Sequence, residues 1–165
     1  MFNLHCTKKL LDRIKPELGA PQSSTTRLGN WYATALFWKP QMALVVNERT
    51  LLPVLLPLAP AATLAQRFPI ALRDVLQALH TPAEFIESEI SGMGEVGYAK
   101  TANRSVLGVM NEFVFLAEGY RDQDGSIDPV ALSLKLAGTP CGPLYKGAVF
   151  PDKALRELVH GGAIH

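Results

Sequence analysis

Cysteine is scarce in this chain: Cys6 and Cys141 are the two among 165 residues. Two thiols cannot build a disulfide framework, so free thiols in a cytoplasmic setting are expected, with one long-range disulfide left open. Charge is also thin. Charged residues make up 19% of the chain, below the usual ~25%, and the net charge is +1. A dedicated non-specific nucleic-acid binder is far more basic, so any recognition of an anion has to be local. Long apolar runs are missing. The richest stretch, residues 51–62, carries Pro53, Pro57 and Pro60 and is too short and too broken to span a bilayer. The opening Met1-Phe2-Asn3-Leu4-His5-Cys6 lacks the charged and apolar regions of a signal peptide. There is no P-loop and no paired-cysteine zinc pattern. Gly92, Gly94 and Gly97 spell G-x-G-x-x-G, but no clear strand precedes them and no helix follows at once. No metal site and no cofactor is expected.

What is present is a hydrophobic fraction of 48%, enough for one domain over residues 1–165 with a full core. Phe2, Leu4 and Cys6 alternate on one face of a first strand. Thr7 is placed to cap a helix over residues 8–15, which Pro16 stops. Residues 30–38, 42–46 and 51–58 read as three strands with short connections, the pattern of an antiparallel meander. Pro53 and Pro57 are four apart, so both remove ladder donors on the same side; this places the third strand at a sheet edge or makes it irregular. Residues 60–80 carry a helical apolar stripe, and Pro69 predicts a kink or two helices. Thr81, Pro82 and Glu84 read as a capping box opening a helix to about Ser91. Residues 95–100 form a further strand. Asn103 or Ser105 caps a helix through Phe115, and residues 121–125 read as a polar turn. Asp128-Pro129 and Pro151-Asp152 open two more helices, ended by Gly138 and by Gly161-Gly162. The order implies an α+β fold: a small antiparallel sheet, a three-stranded meander plus one or two further strands, packed by helices.

Polar residues concentrate where that helix begins. Lys100, Thr101, Asn103, Arg104 and Ser105, then Asn111 and Glu112, crowd an otherwise apolar region. A helix start offers free N–H groups and a positive dipole end, which suits an anion. Lys100 and Arg104 would add full charges, with Asn103 and Ser105 donating. The blander reading is a cap flanked by solvated side chains. Residues 104, 108, 111, 112 and 115 share one side by helical spacing. Asn47-Glu48-Arg49-Thr50 is most simply a hairpin turn, with Arg49 as a further anion contact in the functional reading. Lys8 is a fourth cation for such a site, and Glu112 the one plausible acid or base. If a shared site exists, residues 47–50, 100–105 and 111–112 border one surface region. Cys6 lies near a helix start and lysines, a setting that can activate a thiol; sharing a face with Phe2 and Leu4, it is expected to be an inert small hydrophobe.

The blocks His5-Cys6-Thr7-Lys8-Lys9-Leu10, Gly29-Asn30-Trp31-Tyr32, Val46-Asn47-Glu48-Arg49-Thr50-Leu51, Asn103-Arg104-Ser105-Val106-Leu107-Gly108 and Met110-Asn111-Glu112-Phe113 resemble a family of small bacterial proteins known as a domain of unknown function. The resemblance implies that the polar blocks belong to one domain; it implies no catalytic residue. Two function classes follow. One is a domain binding or acting on a phosphate-bearing ligand, a nucleotide or RNA, through Lys100, Asn103, Arg104, Ser105, Asn111, Arg49 and Lys8. The other is a non-catalytic interaction module, a homo-oligomer or protein partner in a defence, toxin–antitoxin or mobile-element system. Neither involves a membrane.

Overall fold

A computed structural model of the protein describes residues 1–124 and 128–161. Five strands, β1 (Phe2–Cys6), β2 (Trp31–Leu36), β3 (Met42–Asn47), β4 (Pro53–Pro57) and β5 (Val96–Lys100), form one sheet in the order β4-β3-β2-β1-β5. The helices are α1 (Lys8–Ile14), α2 (Leu64–Ala78), α3 (Ala83–Ser91), α4 (Arg104–Asp124), α5 (Pro129–Ala137) and α6 (Pro151–Gly161). The class is α+β.

The meander β2-β3-β4 is antiparallel as expected, but the sheet is not. Strand β1 pairs in parallel with both β2 and β5, so the sheet is mixed. The reason is the crossover: α1 carries the chain back along one face before β2 begins, and a strand reached through a helix re-enters in the same direction. β1 and β5 are also shifted down by two rungs. Leu4 faces Trp31, where β2 begins, and Cys6 with Lys100 ends on the Ala33 rung.

Helices cover both faces. Phe2, Leu4, Trp31, Ala33, Val45 and Val54 pack with α1, α2, α3 and α6 through Leu10, Phe68, Leu72, Ile86 and Leu155. On the other face Tyr32, Leu36, Leu44, Val46 and Leu55 pack with Val106, Met110 and Phe113 of α4 and with Leu136 of α5. Burial on both sides explains why β3 reads as an unbroken apolar run instead of alternating. The β1 half of the second face is polar and still buried, with Asn3, His5 and Thr34.

β4 is an edge strand, as Pro53 and Pro57 require. Leu55, midway between them, is the residue whose N–H points outward, and the hydroxyl of buried Ser133 on α5 accepts it at 2.9 Å. That hydroxyl in turn donates to the Pro129 carbonyl at 2.7 Å. Ser133→Ala is therefore expected to strand a buried donor and lose about 1–3 kcal/mol in urea unfolding, at unchanged m-value. A loss under about 0.3 kcal/mol would show that the edge needs no such acceptor.

Four readings of the helices need correction. Thr7 stands at the cap position of α1, but its hydroxyl bonds the Thr34 hydroxyl at 2.8 Å and caps no helix N–H. Thr81 does not open α3 with a capping box: Pro82 occupies the cap position, and no side chain caps the helix. Thr81 is instead committed to closing α2. Its N–H bonds the Leu76 carbonyl while the His80 N–H bonds Gln77, with His80 left-handed at φ 58, the Schellman arrangement. Of the two outcomes expected at Pro69, separate helices do not form: α2 is one helix, Leu64–Ala78, with Pro69 inside it, preceded by a 3-10 segment, Ala61–Thr63. α4 continues past Arg121 to Asp124, because Ala117 is buried and the Arg121 guanidinium sits 4.5 Å over the Trp38 ring; residues 121–124 are helix, not turn. Gly125 and Gly162 lie outside the described residues. Asp128 caps α5 as expected, accepting from Val130 and Ala131. Among the described residues no helix is long and apolar enough to cross a membrane.

Candidate functional site

The polar block at the start of α4 is first of all a well-tied turn. Asn103 is the cap: its Oδ1 accepts from the N–H groups of Ser105 at 2.9 Å and Val106 at 3.2 Å. Those donors are therefore not free for an anion. The Asn103 N–H donates to the Tyr32 hydroxyl at 3.1 Å. The Tyr32 ring stacks on His5 at 4.6 Å, and His5 Nδ1 lies 3.0 Å from the Lys100 carbonyl. Residues 100–103 are thus pinned to the polar half of the sheet by His5 and Tyr32, two residues to which the sequence reading gave no such role. Lys100, Arg104 and Ser105 are exposed. The spacing on α4 holds, and its meaning is plain: Arg104, Gly108, Asn111, Glu112 and Phe115 are all exposed, on the side away from buried Val106, Met110 and Phe113. Lys8, exposed at the start of α1, follows Cys6, which faces Lys100 across one rung. Burial pushes the Cys6 thiol up to about 12 and the Cys141 thiol, with Glu112 adding to it, up to about 11. Neither is a thiolate at neutral pH, so neither is poised as a nucleophile.

Arg49 belongs to a different construction. In the β3–β4 turn, Asn47 is fully buried. Its Oδ1 accepts from the N–H groups of Arg49 and Thr50 and from the Thr50 hydroxyl, at 3.1, 2.9 and 3.0 Å. Its amide donates to the carbonyls of Leu28 at 2.8 Å and Asn30 at 3.3 Å. The turn is thereby fastened to residues 27–30. Gly29 sits at φ 76, a backbone conformation that favours glycine, and the Arg49 guanidinium packs against it, 3.0 Å from where a Cβ would lie. The Arg49 guanidinium bonds the Arg27 carbonyl. Arg27 reaches across to the Leu158 and Val159 carbonyls at the end of α6 and lies over the Phe85 ring. The buried Glu89 carboxylate accepts from the N–H groups of Arg27 at 2.6 Å and Leu28 at 3.2 Å. Burial raises its pKa, against the pull of those bonds and of the Arg27 and Arg49 charges.

This framework forms one wall of an open cavity of about 1140 Å³ between the β3–β4 turn and α6. Arg49 and Thr50 stand on one side. Lys146 comes from the segment after the 3-10 turn Gly142–Leu144, and Lys153, Arg156, Glu157 and His160 come from α6. Four permanent cations face one carboxylate, a local balance of +3 in a chain whose total is +1. Leu144, Ala148, Ala154 and Leu158 supply an apolar floor. Among the described residues no carboxylate lies within 4 Å of the charged groups of Arg49, Lys146, Lys153 or Arg156, though the Arg49 charge acts on buried Glu89 at longer range; the Lys153 ammonium rests 4.7 Å from the Phe150 ring centre. Two smaller cavities lie at the β5 edge and between α2 and α6. None of the three is lined by Lys8, Lys100, Asn103, Arg104, Ser105, Asn111 or Glu112. Of the sequence candidates, Arg49 alone lines the large cavity, and the turn that carries it is separated from β5 and the Lys100 block by β2 and β1. The residues missed were Lys146, Lys153, Arg156 and His160. The last three recur at helical spacing in α6, and that was the available signal. Among the described residues no group of three or more His, Cys, Asp or Glu is placed to hold a metal ion.

A family model described as Domain of unknown function (DUF6933) matches residues 3–154, in keeping with the resemblance carried by the sequence blocks. No curated protein and no solved structure matches the chain.

Proposed function

We propose that this chain, which belongs to the domain-of-unknown-function family DUF6933, binds a phosphate-bearing ligand, a nucleotide or RNA, in the cavity between the β3–β4 turn and α6. One observation carries this reading. Arg49, Lys146, Lys153 and Arg156 converge on a single cavity whose lining holds one carboxylate, Glu157. Like charges held together raise the energy of the free protein, and an anion that lies among them relieves it. Arg49 is anchored from behind by the Arg27 carbonyl and Gly29, so less ordering is required on binding. In this reading Lys100, Arg104, Ser105, Asn111 and Lys8 are exposed side chains outside the site, and Glu112, exposed on α4, lines none of the three cavities.

Thermal melts with inorganic triphosphate test the proposal. At a concentration near 100 Kd the ligand adds about 2.7 kcal/mol, a Tm rise of about 5–10 °C for a chain of this size. The rise should vanish in Lys153→Glu/Arg156→Glu and persist in Arg104→Ala. Arg104 opens α4, where a cation opposes the dipole, so that control should melt at or slightly above the wild-type temperature. No rise in the wild type, or a rise abolished by Arg104→Ala alone, removes the cavity from consideration.

The reading as an interaction module finds support in α4. Phe115 is 76% exposed there, on the same side as Arg104, Asn111 and Glu112.

A further inference from the structure

We infer that the exposed side of α4 is a docking surface for a second copy of this chain, the two α4 helices packing antiparallel about a two-fold axis at Asn111. The inference rests on the interaction reading of α4, not on the basic cavity, and commits that reading to one occupant.

Arg104, Gly108, Asn111, Phe115 and Glu118 are all exposed. They recur at steps of four, three, four and three, the seam spacing along which two helices pack. Phe115 is 76% exposed, the highest value for a large apolar side chain among the described residues. What points to a second copy is that this seam complements itself when reversed. Turned end for end about Asn111, it sets Arg104 of each copy beside Glu118 of the other and Phe115 of each over Gly108 of the other. The two Asn111 amides meet on the axis. An isologous contact of this kind uses the same patch on both copies. Gly108 has room for the ring, because nothing lies within 4 Å of where its Cβ would be; a glycine in the seam leaves a hole for a knob. Among the described residues neither Arg104 nor Glu118 makes an ion pair within 4 Å, so both charges are open to a partner. Parallel packing is disfavoured by the same residues, since it sets Arg104 on Arg104 and Glu118 on Glu118. Glu112 lies beside the axis in each copy, and the approach of the two carboxylates opposes pairing. The seam covers about 21 Å at 1.5 Å per residue. A contact of that length is small, so the dimer belongs with weak, transient pairs, at a Kd of about 1–100 µM.

The test is sedimentation equilibrium of the full chain from about 1 to 500 µM, over which the mass should rise from 18.0 kDa towards twice that value. Arg104→Glu and Glu118→Arg each set like charges together at both ends of the seam, and each should weaken association at least about tenfold. The double variant Arg104→Glu/Glu118→Arg should restore it to within about threefold. Gly108→Leu fills the hole and should abolish the dimer; leucine favours helix, so circular dichroism should show the fold kept. Glu112→Gln should tighten the dimer about two- to fivefold. Arg104→Ala also weakens pairing, so its melting temperature matches or exceeds the wild type's only in dilute solution, where copies are apart. None of these changes should alter triphosphate binding, which keeps the outcome separate from that of the cavity. A chain that stays monomeric throughout overturns the inference and leaves α4 to a partner of different sequence. Dimerisation untouched by Arg104→Glu and Gly108→Leu places the contact elsewhere and overturns it as well. Loss in both single reversals without recovery in the double variant overturns the antiparallel pairing about Asn111.

Discussion

Asn47→Ala is expected to lose about 5 kcal/mol of unfolding free energy, enough to leave the protein partly unfolded at 37 °C. One side chain, fully buried, satisfies two N–H groups and a hydroxyl on its oxygen and two carbonyls on its nitrogen. Alanine removes all five partners at once. At about 1 kcal/mol net per bond the sum reaches the range seen when a whole buried network is broken, against a total stability of order 5–15 kcal/mol. The same change frees the turn that holds Arg49 against residues 27–29, so any triphosphate-dependent stabilisation should fall with it. Urea unfolding read by tryptophan fluorescence measures the loss. A value below about 1 kcal/mol would mean that water or a rearranged turn replaces the asparagine, and the turn would then be a poor foundation for a site.

The second large effect is a contrast within one turn of helix. Phe113→Ala should destabilise the protein by about 3–5 kcal/mol, and Phe115→Ala by no more than about 0.5 kcal/mol. Phe113 is fully buried among Tyr32, Leu44, Met110 and their neighbours, whereas Phe115 points into solvent. Truncating the first leaves a cavity that helix and sheet cannot both close. Truncating the second removes a ring that touches little of its own chain. Thermal melts at two protein concentrations give a further answer. If Phe115→Ala lowers the melting temperature only in concentrated solution, the exposed face of α4 is covered by another copy. Equal losses for the two variants would show that the assigned inward and outward sides of α4 are wrong.

Local signals were legible where a short stretch of chain settles the physics. Asp128-Pro129 opened a helix, Asn103 was one of two caps considered, and Pro53 with Pro57 marked an edge. Each depends on a backbone donor within a few residues. Pairing was less legible. Nothing in residues 95–100 says that they lie beside β1, and the parallel β1–β2 pairing is visible only if α1 is taken as a crossover. Thr81 misled because its neighbours fit a capping box, while the end of α2 had the prior claim on its N–H. The site suffered most. The polar density at residues 100–105 comes from a cap and a turn tied down by His5 and Tyr32, whose contacts span more than seventy positions. The cations that converge with Arg49 sit about a hundred residues downstream of it, Lys146 in a loop and Lys153 and Arg156 in a helix that reads as an ordinary amphipathic surface element.

The two borders of the sheet bear on how this protein behaves when crowded. At one, prolines take two of the outward positions and Ser133 occupies the N–H between them. At the other, Leu18 forms a parallel bridge to Tyr98, whose carbonyl accepts the Gly19 N–H at 3.0 Å. A fibril grows by adding chains to an open ladder, and among the described residues neither border offers one of useful length. A chain nearly half hydrophobic thus keeps its most apolar strands from templating amyloid, and two of the residues responsible are prolines that contribute no ladder bond at all.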